Sequence, residues 1–362
     1  MSGHDGVQCM IMRGGSSKGA YFLEADLPGD AAERDDLLLR VMGSPDARQI
    51  DGVGGAHPLT SKVAIVSPST RDDADVEYLF LQLGVDEPTV SDRQNCGNLL
   101  AGVGPYAIER GLVSVPAQAT THEVRILMRN TDSIATATLA VVGGRPTYDG
   151  DTTISGVPGT AAPIRLDFEG VAGGSCGALL PTGKTVDEID GVRCTLVDAG
   201  MPVVVMLAAD LGIEGSESPI ELEADEVLRG RLESIRLQAG PLMNLGDVAD
   251  TTVPKLTMVS PPRTEGGHIS TRTFIPHRCH EAIGVLGAVS VAVAAVVPDA
   301  PAAEVFAGAN AESVVLEHPT GTFEAAVSMS VGGSDDVPVL DRAGIIRTAR
   351  KLMDGMAFAR NY

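Results

Sequence analysis

The sequence contains no tryptophan, and aromatic residues make up only 3% of its 362 positions. Proteins that bind bases or sugars commonly stack them on aromatic rings, so these ligands are disfavoured. Basic residues are also few: 27 lysines and arginines stand against 48 aspartates and glutamates, which gives a net charge of −21. A nucleic-acid-binding protein needs a basic face, so this class is disfavoured too. An anionic ligand must be held by local positive groups in an otherwise acidic protein.

Long apolar runs and paired cysteines are missing as well. The longest apolar run, Ala282–Val297, is too short for a comfortable membrane span. The five cysteines are odd in number and widely spaced, which does not fit a disulfide framework. The first residues, MSGHDGVQCM, are polar and unlike a signal peptide. We therefore expect a cytoplasmic protein of a reducing compartment that binds neither membranes nor nucleic acids. The oligomeric state is left open, with a homodimer as one alternative.

Short β-like segments are what the chain mainly contains, without a regular alternation of strands and helices. Each is rich in Val, Ile, Leu or Thr, and several are bounded by Gly, Pro, Asn or Asp. The predicted strands are Val63–Val66, Val76–Leu83, Glu123–Met128, Ser133–Val142, Cys194–Asp198, Val203–Leu207 and Lys255–Val259. Together with a few helices, this content predicts an α+β protein.

Two amphipathic helices are predicted from the signals at their ends. Asp30 is a suitable N-cap for Ala31–Met42, and a glycine directly after Met42 ends that helix. The second helix spans Pro219–Gln238, where Ser218 and Glu221 have the spacing of a capping box.

Two further helices, Gly97–Glu109 and Glu281–Val297, are apolar on nearly every face. A helix without a polar face must be buried all round, and surrounding strands can bury it. Each helix follows a cysteine, Cys96 or Cys279, and these cysteines lie about half the chain apart. We therefore predict two similar domains, each a curled β-sheet or barrel around a central buried helix.

The predicted domains are residues 1–185 and 186–343. Proline and glycine breaks near Pro181–Asp190 mark the junction between them. The final strand-like segment, residues 344–359, can return to either half.

The sequence Asn95-Cys96-Gly97-Asn98 places a thiol at the start of the first apolar helix. Unpaired amides and the macrodipole at a helix N-terminus favour the thiolate, and the same amides can hold a carboxylate. A buried cysteine that merely fills space is the alternative. The polar and small neighbours of the thiol favour the functional interpretation.

Two loops carry a lysine beside an apolar strand or a glycine pair. Lys62 lies where a polar loop enters Val63–Val66. If it points inward, desolvation favours its neutral amine and makes it a usable base, whereas an ordinary surface lysine is the alternative. Arg13–Gly19 (RGGSSKG) is typical of an anion-binding loop but lacks the P-loop spacing, and a simple β-turn is equally compatible. Gly173–Gly177 (GGSCG) is predicted to be a turn rather than a site.

Two arginines, two histidines and a cysteine are concentrated in Arg272–His280, just before the second apolar helix. Zinc is one interpretation, but no second ligand cluster has matching spacing, so a metal is disfavoured. A substrate-facing loop fits better, in which Arg272 or Arg278 grips a carboxylate. His277 and His280 could titrate there or merely donate hydrogen bonds. Two histidines that cap a helix start are the alternative.

Several of these motifs occur together in one known family. RGGSSKG, LTSKVAIV (Leu59–Val66) and QNCGN (Gln94–Asn98) resemble the 2-methylaconitate cis-trans isomerase-like family, which shares the diaminopimelate epimerase fold. Its 4-oxalomesaconate tautomerase or isomerase branch is resembled by RQIDGVGGA (Arg48–Ala56), NCGNLLAGVGPYAIERGLV (Asn95–Val113), QAGPLMNLGDV (Gln238–Val248) and RTFIPHRCH (Arg272–His280). The resemblance runs from about Met12 to Ala359. It implies two domains, each a barrel-like sheet around a central helix, with the active site between them.

The resemblance also implies the residues of that site. Family members use a lysine and a cysteine that face each other across the substrate, which by motif are Lys62 and Cys96. Epimerase relatives place a second cysteine at the start of the second helix, for which Cys279, His277 and His280 are alternatives. The implied substrate-binding residues are Ser16, Ser17, Lys18, Ser61, Asn95, Gly97, Asn98, Arg272, His277, Cys279 and His280.

The implied activity is a cofactor-independent isomerisation of 4-oxalomesaconate, a small tricarboxylic keto acid from bacterial breakdown of gallate, protocatechuate or lignin-derived aromatics. A carbon–carbon double bond moves by one allylic position, or keto and enol forms interconvert, and neither change needs a redox cofactor or a metal. The reaction needs a base, an acid and donors for an oxyanion. Lys62 and Cys96 fit the first two roles, and the helix amides with the RGGSSKG loop fit the third.

Two other functions remain compatible with the residues. A 2-methylaconitate isomerase or a two-cysteine amino-acid racemase has the same fold, and a racemase would need Cys279 as much as Cys96. A non-catalytic carboxylate-binding protein would keep the anion loops and tolerate the loss of Lys62.

Overall fold

The computed structural model describes residues 6–93, 95–308, 313–332 and 337–360, so Gln94 of the QNCGN motif lies outside the described residues. The helices in the described part are α1 (Ala31–Met42), α2 (Gly97–Glu109), α3 (Pro219–Ala224), α4 (Glu226–Leu242) and α5 (Val285–Val296). The strands there are β1 (Val7–Gly14), β2 (Ser17–Leu23), β3 (Lys62–Pro68), β4 (Val76–Leu83), β5 (Val90–Ser91), β6 (Thr121–Met128), β7 (Ser133–Val142), β8 (Arg145–Pro146), β9 (Pro163–Phe168), β10 (Asp187–Ile189), β11 (Val192–Asp198), β12 (Pro202–Leu207), β13 (Lys255–Ser260), β14 (Ile269–Phe274), β15 (Val314–His318), β16 (Gly321–Gly332) and β17 (Val337–Ala357).

The chain divides into two compact units. The first comprises Met1–Leu166 and Ile346–Tyr362, and the second comprises Asp167–Ile345. Strand β17 contributes to both units, because its first part pairs with β16 and its last part, from Ala349 onward, pairs with β1. The C-terminal segment therefore returns to the first unit.

The first unit contains a closed barrel of eight strands. Neighbouring strands are hydrogen-bonded in the order β17-β1-β2-β3-β4-β6-β7-β9, and β9 pairs with β17 to complete the ring. Strand β3 pairs in parallel with β2 and antiparallel with β4. Closure of the ring leaves these strands without a free edge, so their backbone groups are paired around the barrel.

Helix α2 is the central element of this barrel. It contacts β1, β2, β3, β4, β6 and β7, and all its residues from Leu99 to Ile108 are buried. Gly102 is required by this packing, because the phenol of Tyr21 occupies the space where a Cβ would lie. The predicted buried helix is thus confirmed, with the bounds expected from the sequence.

Helix α1 packs on the outside of the barrel. Its apolar residues Leu38, Val41 and Met42 share a core with strand residues such as Phe22 and Ile65. Its predicted bounds are confirmed, as are both of its end signals. The Asp30 carboxylate accepts from two amides of the first turn, and Gly43 ends the helix in the left-handed conformation at φ 82°.

The second unit is a curled sheet around α5. Its strands are hydrogen-bonded in the order β10-β11-β12-β13-β14-β15-β16, followed by the first part of β17. Helix α5 contacts β11 and β12 and also β15 and β16, which lie on either side of the central pair β13–β14. One helix can reach both sides only if the sheet bends around it. The predicted α+β class, with a curled sheet around a buried helix in each unit, is therefore confirmed.

Two predicted helices have different bounds in the structure. Helix α5 begins at Val285 rather than at residue 281, because the backbone just before it is held by β14: the His280 amide donates to the carbonyl of Thr273 at 2.7 Å. Pro219–Gln238 was predicted as one helix, but it is divided into α3 and α4. Asp225 separates them, since its carboxylate caps α4 by accepting from the Leu228 amide at 2.9 Å.

The boundary between the units falls between Leu166 and Asp167 rather than at the predicted position, 185/186. The intervening glycine-rich segment is bonded into the second unit. The Gly173 amide donates to the carbonyl of Asp198, and the Asp198 amide donates to the carbonyl of Leu179. The GGSCG motif is a turn, as predicted, whose amides at Ser175 and Cys176 donate to the Asp198 carboxylate. Among the described residues, no helix has the length and apolar character needed to cross a membrane.

Candidate active site

Lys62 is the first residue of β3, and its side chain is buried, with 7% of its surface exposed. Its Nζ donates to Oε1 of Gln82 at 2.6 Å and lies 4.9 Å from the centroid of the Phe80 ring. Within the described part of the chain, no carboxylate pairs with this amine. A buried amine without a paired carboxylate is unusual, because burial of an unpaired charge is costly.

Cys96 is the N-cap residue of α2, as predicted. Its backbone is extended, with φ −126° and ψ 96°, and its side chain does not cap the helix. No described residue accepts from the amides of Gly97 and Asn98 in the first turn. The positive end of the helix thus carries two amides without an acceptor among the described residues, and the Cys96 thiol lies beside them. This arrangement suits an anionic group.

The other four cysteines differ from Cys96 in burial. Cys96 is partly exposed, whereas Cys9, Cys176, Cys194 and Cys279 are buried. Burial raises the pKa of Cys9, Cys176 and Cys194 to about 12 and that of Cys279 to about 11. These thiols are protonated and weakly acidic at neutral pH, so Cys96 is the best candidate for a reactive thiol.

Two buried tyrosines hold the first turn of α2. Tyr21 Oη donates to the carbonyl of Leu99 at 2.6 Å, and Tyr78 Oη donates to the carbonyl of Cys96 at 3.5 Å. Burial, and then the nearby Cys96 thiol, raise the pKa of both phenols well above the usual value. Both hydroxyls therefore remain donors, and they fix the backbone from which the Cys96 side chain projects.

RGGSSKG forms the hairpin turn between β1 and β2. The predicted β-turn is therefore present, and it does not exclude an anion-binding role for the same loop. Arg13 pairs with Lys18 and Gly14 with Ser17 across this hairpin. Nδ2 of Asn98 donates to Oγ of Ser16 at 3.2 Å, which joins the turn to the start of α2. The buried hydroxyl of Ser17 has no hydrogen-bond partner in the described chain.

Lys18, Ser61 and Asn95 lie in the same unit with different surroundings. A Cβ added to Gly55 would lie 3.2 Å from the Lys18 Nζ, so this amine lies over the loop before β3. Ser61 is buried, and its hydroxyl is bonded to Oε1 of Gln49 at 2.8 Å, so it holds the loop. Asn95 donates to Oγ1 of Thr131 at 2.6 Å, while its buried Oδ1 has no partner among the described residues.

Arg272 lies in β14 of the second unit and is buried. Its Nε donates to the carbonyl of Glu217 at 2.7 Å and its Nη1 donates to that of Thr271 at 2.9 Å. Burial lowers the pKa of its guanidinium. Arg278, the other candidate, is 84% exposed and pairs with Glu223 at 3.5 Å. Arg272 thus occupies a protected position, whereas Arg278 is a surface residue.

The structure corrects the expectation that Cys279 starts the second buried helix. Cys279 forms an isolated antiparallel β-bridge with Phe274, and the Cys279 amide donates to Oε1 of Glu223 at 3.0 Å. His280 is half-buried, and its Nδ1 accepts from the amide of Ala282 at 2.9 Å. Burial and the charge of Lys255 lower the pKa of His280. Gly284, rather than a cysteine, is the N-cap of α5.

His277 is exposed, and its Nδ1 lies 3.8 Å from Oε2 of Glu233 on α4. His277 thus lies at the surface of the second unit, near the Glu233 carboxylate. Among the described residues, no group of three or more His, Cys, Asp or Glu side chains is placed to hold a metal ion.

Lys255 is a further candidate residue, which no sequence motif marks. It begins β13, which pairs in parallel with β12 and antiparallel with β14, just as Lys62 begins β3 between β2 and β4. A Cβ added to Gly284 would lie 3.6 Å from its Nζ, so the amine lies beside the N-cap of α5. Burial lowers the pKa of Lys255. The second unit therefore repeats the placement of a lysine near its central helix.

Comparisons with known proteins identify relatives along nearly the whole chain. The model of the family described as PrpF protein matches residues 5–360. A protein of Novosphingobium sp. (strain KA1) named (4E)-oxalomesaconate Delta-isomerase is 56% identical over 357 residues, which cover 98% of each chain. A 4-oxalomesaconate tautomerase of Pseudomonas putida is 53% identical over 356 residues, which cover 98% of this chain and 96% of the relative.

A solved structure extends the similarity to the fold. The crystal structure of methylitaconate-delta-isomerase matches with a TM-score of 0.84 and 33% sequence identity, and the match covers 98% of this chain and 95% of the other. Both units are therefore included in the similarity.

Proposed function

The chain belongs to the PrpF protein family, and on that premise we propose that this isomerase moves a carbon–carbon double bond by one allylic position in 4-oxalomesaconate. Relatives at 53% and 56% identity carry this substrate in their names, one as a Delta-isomerase and the other as a tautomerase. The role implied by the resemblance, in bacterial breakdown of aromatic compounds, belongs to the same proposal.

The observation that carries the proposal is the buried Lys62 amine without a carboxylate partner in the described chain. In its neutral form this amine is a base that can remove a proton from carbon. Carbon next to a conjugated carbonyl is acidic enough for such a base, because the charge left behind is delocalised onto oxygen. We assign the first proton transfer to Nζ of Lys62.

The second proton transfer needs an acid on the same substrate, and we assign it to the Cys96 thiol. The thiol gives its proton to the carbon two positions away, and the resulting thiolate is favoured at the N-terminus of α2. Lys62 then holds the proton it removed, and exchange with solvent restores both groups. In total one C–H bond is broken and one is formed, so the reaction needs no oxidant or reductant.

The same unit offers donors for the anionic intermediate and for a substrate carboxylate. These are the amides of Gly97 and Asn98 and the hydroxyl of Ser17, none of which has a hydrogen-bond partner among the described residues. Fixed donors stabilise developing negative charge without reorganising during the reaction. They also orient a substrate with several carboxylates, which lowers the entropic part of the barrier. A local anion site of this kind is compatible with a chain of net charge −21.

A proton NMR time course of 4-oxalomesaconate in heavy water tests this function. With the purified protein, we expect the vinyl signals to change and deuterium to appear at the carbon that gains a proton. Simple keto–enol exchange would leave the carbon–carbon double bond in place, so the spectrum separates the two chemistries. A Lys62→Met variant purified in parallel controls for contaminating enzymes.

The proposal fails if 4-oxalomesaconate stays unchanged while 2-methylaconitate is isomerised under the same conditions. It also fails if α-hydrogens of amino acids exchange with solvent, because this would indicate a racemase. Binding of 4-oxalomesaconate without any turnover would indicate a carboxylate-binding protein.

A further inference from the structure

We propose that Gln82 is a positioning residue for Lys62: it fixes the direction of the amine and does so without supplying a charge. The inference rests on the proposed role of Lys62 as the base. Gln82 lies on β4, directly opposite Lys62 on β3 in the antiparallel register. Opposite side chains on neighbouring strands are close enough to interact, and here Nζ and Oε1 are 2.6 Å apart.

The orientation of the Gln82 amide is determined by its other hydrogen bonds. Its Nε2 donates to the carbonyls of Pro58 at 3.1 Å, Ser61 at 3.1 Å and Leu83 at 3.2 Å. A flipped amide would place Oε1 against these three carbonyl oxygens, none of which can donate a hydrogen bond. The oxygen of Gln82 therefore always faces the lysine.

An amide oxygen can hold the lysine in both of its protonation states. It accepts a hydrogen bond from the ammonium and equally from the neutral amine, whose lone pair then points away from Gln82. A carboxylate at this position would pair with the ammonium and stabilise the protonated form, which cannot act as a base. An aliphatic side chain would leave the lysine without its acceptor and would remove one donor from each of the three carbonyls, of which that of Ser61 also accepts from the Leu83 amide at 3.1 Å.

Charged groups on the neighbouring elements do not replace this contact. The elements that pack against β3 include β2, β4, α2 and the turn containing Glu24, while the turn containing Pro58 packs against β2. Their titratable residues include Lys18, Tyr21, Glu24, Asp26, Glu77, Tyr78 and, at the N-cap of α2, Cys96. In the described structure none of these groups is bonded to the Lys62 Nζ, whereas Glu24 and Glu77 pair with Arg129. A carboxylate introduced at position 82 would therefore be the only anionic partner of this amine within the described chain.

The pH dependence of activity in Gln82→Glu tests this inference. The matched control is Gln118→Glu, which makes the same change at an exposed turn residue. Activity of each variant on 4-oxalomesaconate is measured from pH 6 to 10. For Gln82→Glu we expect kcat to fall at least tenfold at pH 7, and the acidic limb of the profile to move upward by about one pH unit or more. Gln118→Glu should follow the wild-type profile.

A second measurement needs no substrate and so separates this inference from the proposed function. The chain has five lysines, which allows the ε-carbon signal of ¹³C-labelled Lys62 to be assigned by its absence in Lys62→Met. We expect Lys62 to lose its proton at higher pH in Gln82→Glu than in wild type. If the wild-type protein does not convert 4-oxalomesaconate, the proposed function is overturned. The titration of Lys62 in wild type and Gln82→Glu still tests the role of Gln82 in that case.

The inference is overturned if Gln82→Glu titrates and turns over as wild type does. It is also overturned if activity falls equally at every pH, since a merely structural role would have that effect. Gln82→Asn guards against misfolding: it keeps the amide but shortens its reach, and we expect a lower kcat with an unshifted pH limb.

Discussion

The side-chain amide of Asn98 donates to Oγ of Ser16 at 3.2 Å, so the first turn of α2 is joined to the turn between β1 and β2. The contact is possible because Gly14 has no side chain: a Cβ there would lie 2.5 Å from the carbonyl oxygen of Asn98. This close approach places the β1–β2 turn beside the N-terminus of α2. The geometry of the proposed anion site therefore depends on one side-chain hydrogen bond and one glycine.

We expect Asn98→Ala to weaken substrate binding more than catalysis. Loss of a hydrogen bond of about 1 kcal/mol corresponds to roughly a fivefold rise in KM, with a smaller change in kcat. Asn98→Asp should raise KM further, because its carboxylate repels an anionic substrate. Steady-state kinetics of both variants and of the wild type check this prediction. Equal KM values in the wild type, Asn98→Ala and Asn98→Asp would contradict it.

Replacement of Lys62 by methionine should reduce turnover to less than a tenth of the wild-type value without unfolding the protein. Methionine preserves the apolar stem and removes the proposed base without burying a new charge. Turnover and circular dichroism are the measurements, and Lys184→Met, at a side chain that is 68% exposed, is the matched control. Activity above a tenth in a folded variant would remove Lys62 from the mechanism.

Cys96→Ser should slow product formation strongly, because a hydroxyl is a much weaker acid than a thiol. Lys62 should still exchange the abstracted hydrogen with heavy water faster than product appears. Proton NMR measures both rates in one sample. Unchanged product formation would make Cys96 a binding or structural residue.

Cys279→Ser distinguishes the isomerase from a two-cysteine racemase. Burial raises the pKa of Cys279 to about 11, so its thiol is a poor proton donor at neutral pH. We expect this variant to keep product formation within about threefold of wild type. A racemase would instead lose exchange in one direction with Cys96→Ser and in the other with Cys279→Ser.

Stability toward acid should depend on Glu233. Its hydrogen bonds to the buried Arg236, both at 2.7 Å, lower the pKa of this carboxyl below the ordinary 4.5. A carboxyl whose pKa is lower in the folded than in the unfolded protein stabilises the fold at every pH above its unfolded-state pKa. This contribution is lost as the pH falls through its folded-state pKa. Glu233→Gln should therefore destabilise the protein by about 2 kcal/mol at pH 7, and the difference should shrink below pH 4.5.

Urea unfolding from pH 3 to pH 7 measures this difference. Glu265→Gln, in an exposed loop, provides the matched control. A difference between wild type and Glu233→Gln that is independent of pH would show that the ion pair does not contribute.

Asp30→Ala should lower the unfolding free energy by about 1 kcal/mol, because two amides at the start of α1 lose their acceptor. Asp30→Asn should stay close to wild type, since asparagine is an equally good N-cap. The urea midpoint at constant m-value is the measurement. Equal losses in both variants would attribute the effect to charge rather than to capping.

The sequence predicted those elements whose signals are local. Asp30 and Gly43 define α1 by themselves, and the apolar character of Gly97–Glu109 on nearly every face defines α2. The start of α5 could not be predicted in this way, because it depends on hydrogen bonds from the preceding residues to β14. Strand β2 was hidden by the polar turn residues of RGGSSKG.

The candidate site was predicted only where residues are adjacent in sequence. Cys96 precedes an apolar helix, and Lys62 precedes an apolar strand, so both have local signals. Gln82 has no such signal, and Lys255 begins the predicted strand Lys255–Val259 but lies outside every motif that marked a candidate residue. The role of Gln82 follows from the register between β3 and β4, and that of Lys255 from a parallel pairing and the position of Gly284.

Strand β17 has a consequence for the order of events during synthesis. Its last part closes the barrel of the first unit by pairing with β1 and β9, yet the ribosome makes it after every residue of the second unit. The barrel therefore cannot be completed while the second unit is being made, and the edges of β1 and β9 await a partner that is about 180 residues away along the chain from β9. Pairing over such a separation is slow, so the nascent first unit must tolerate an open barrel until β17 arrives.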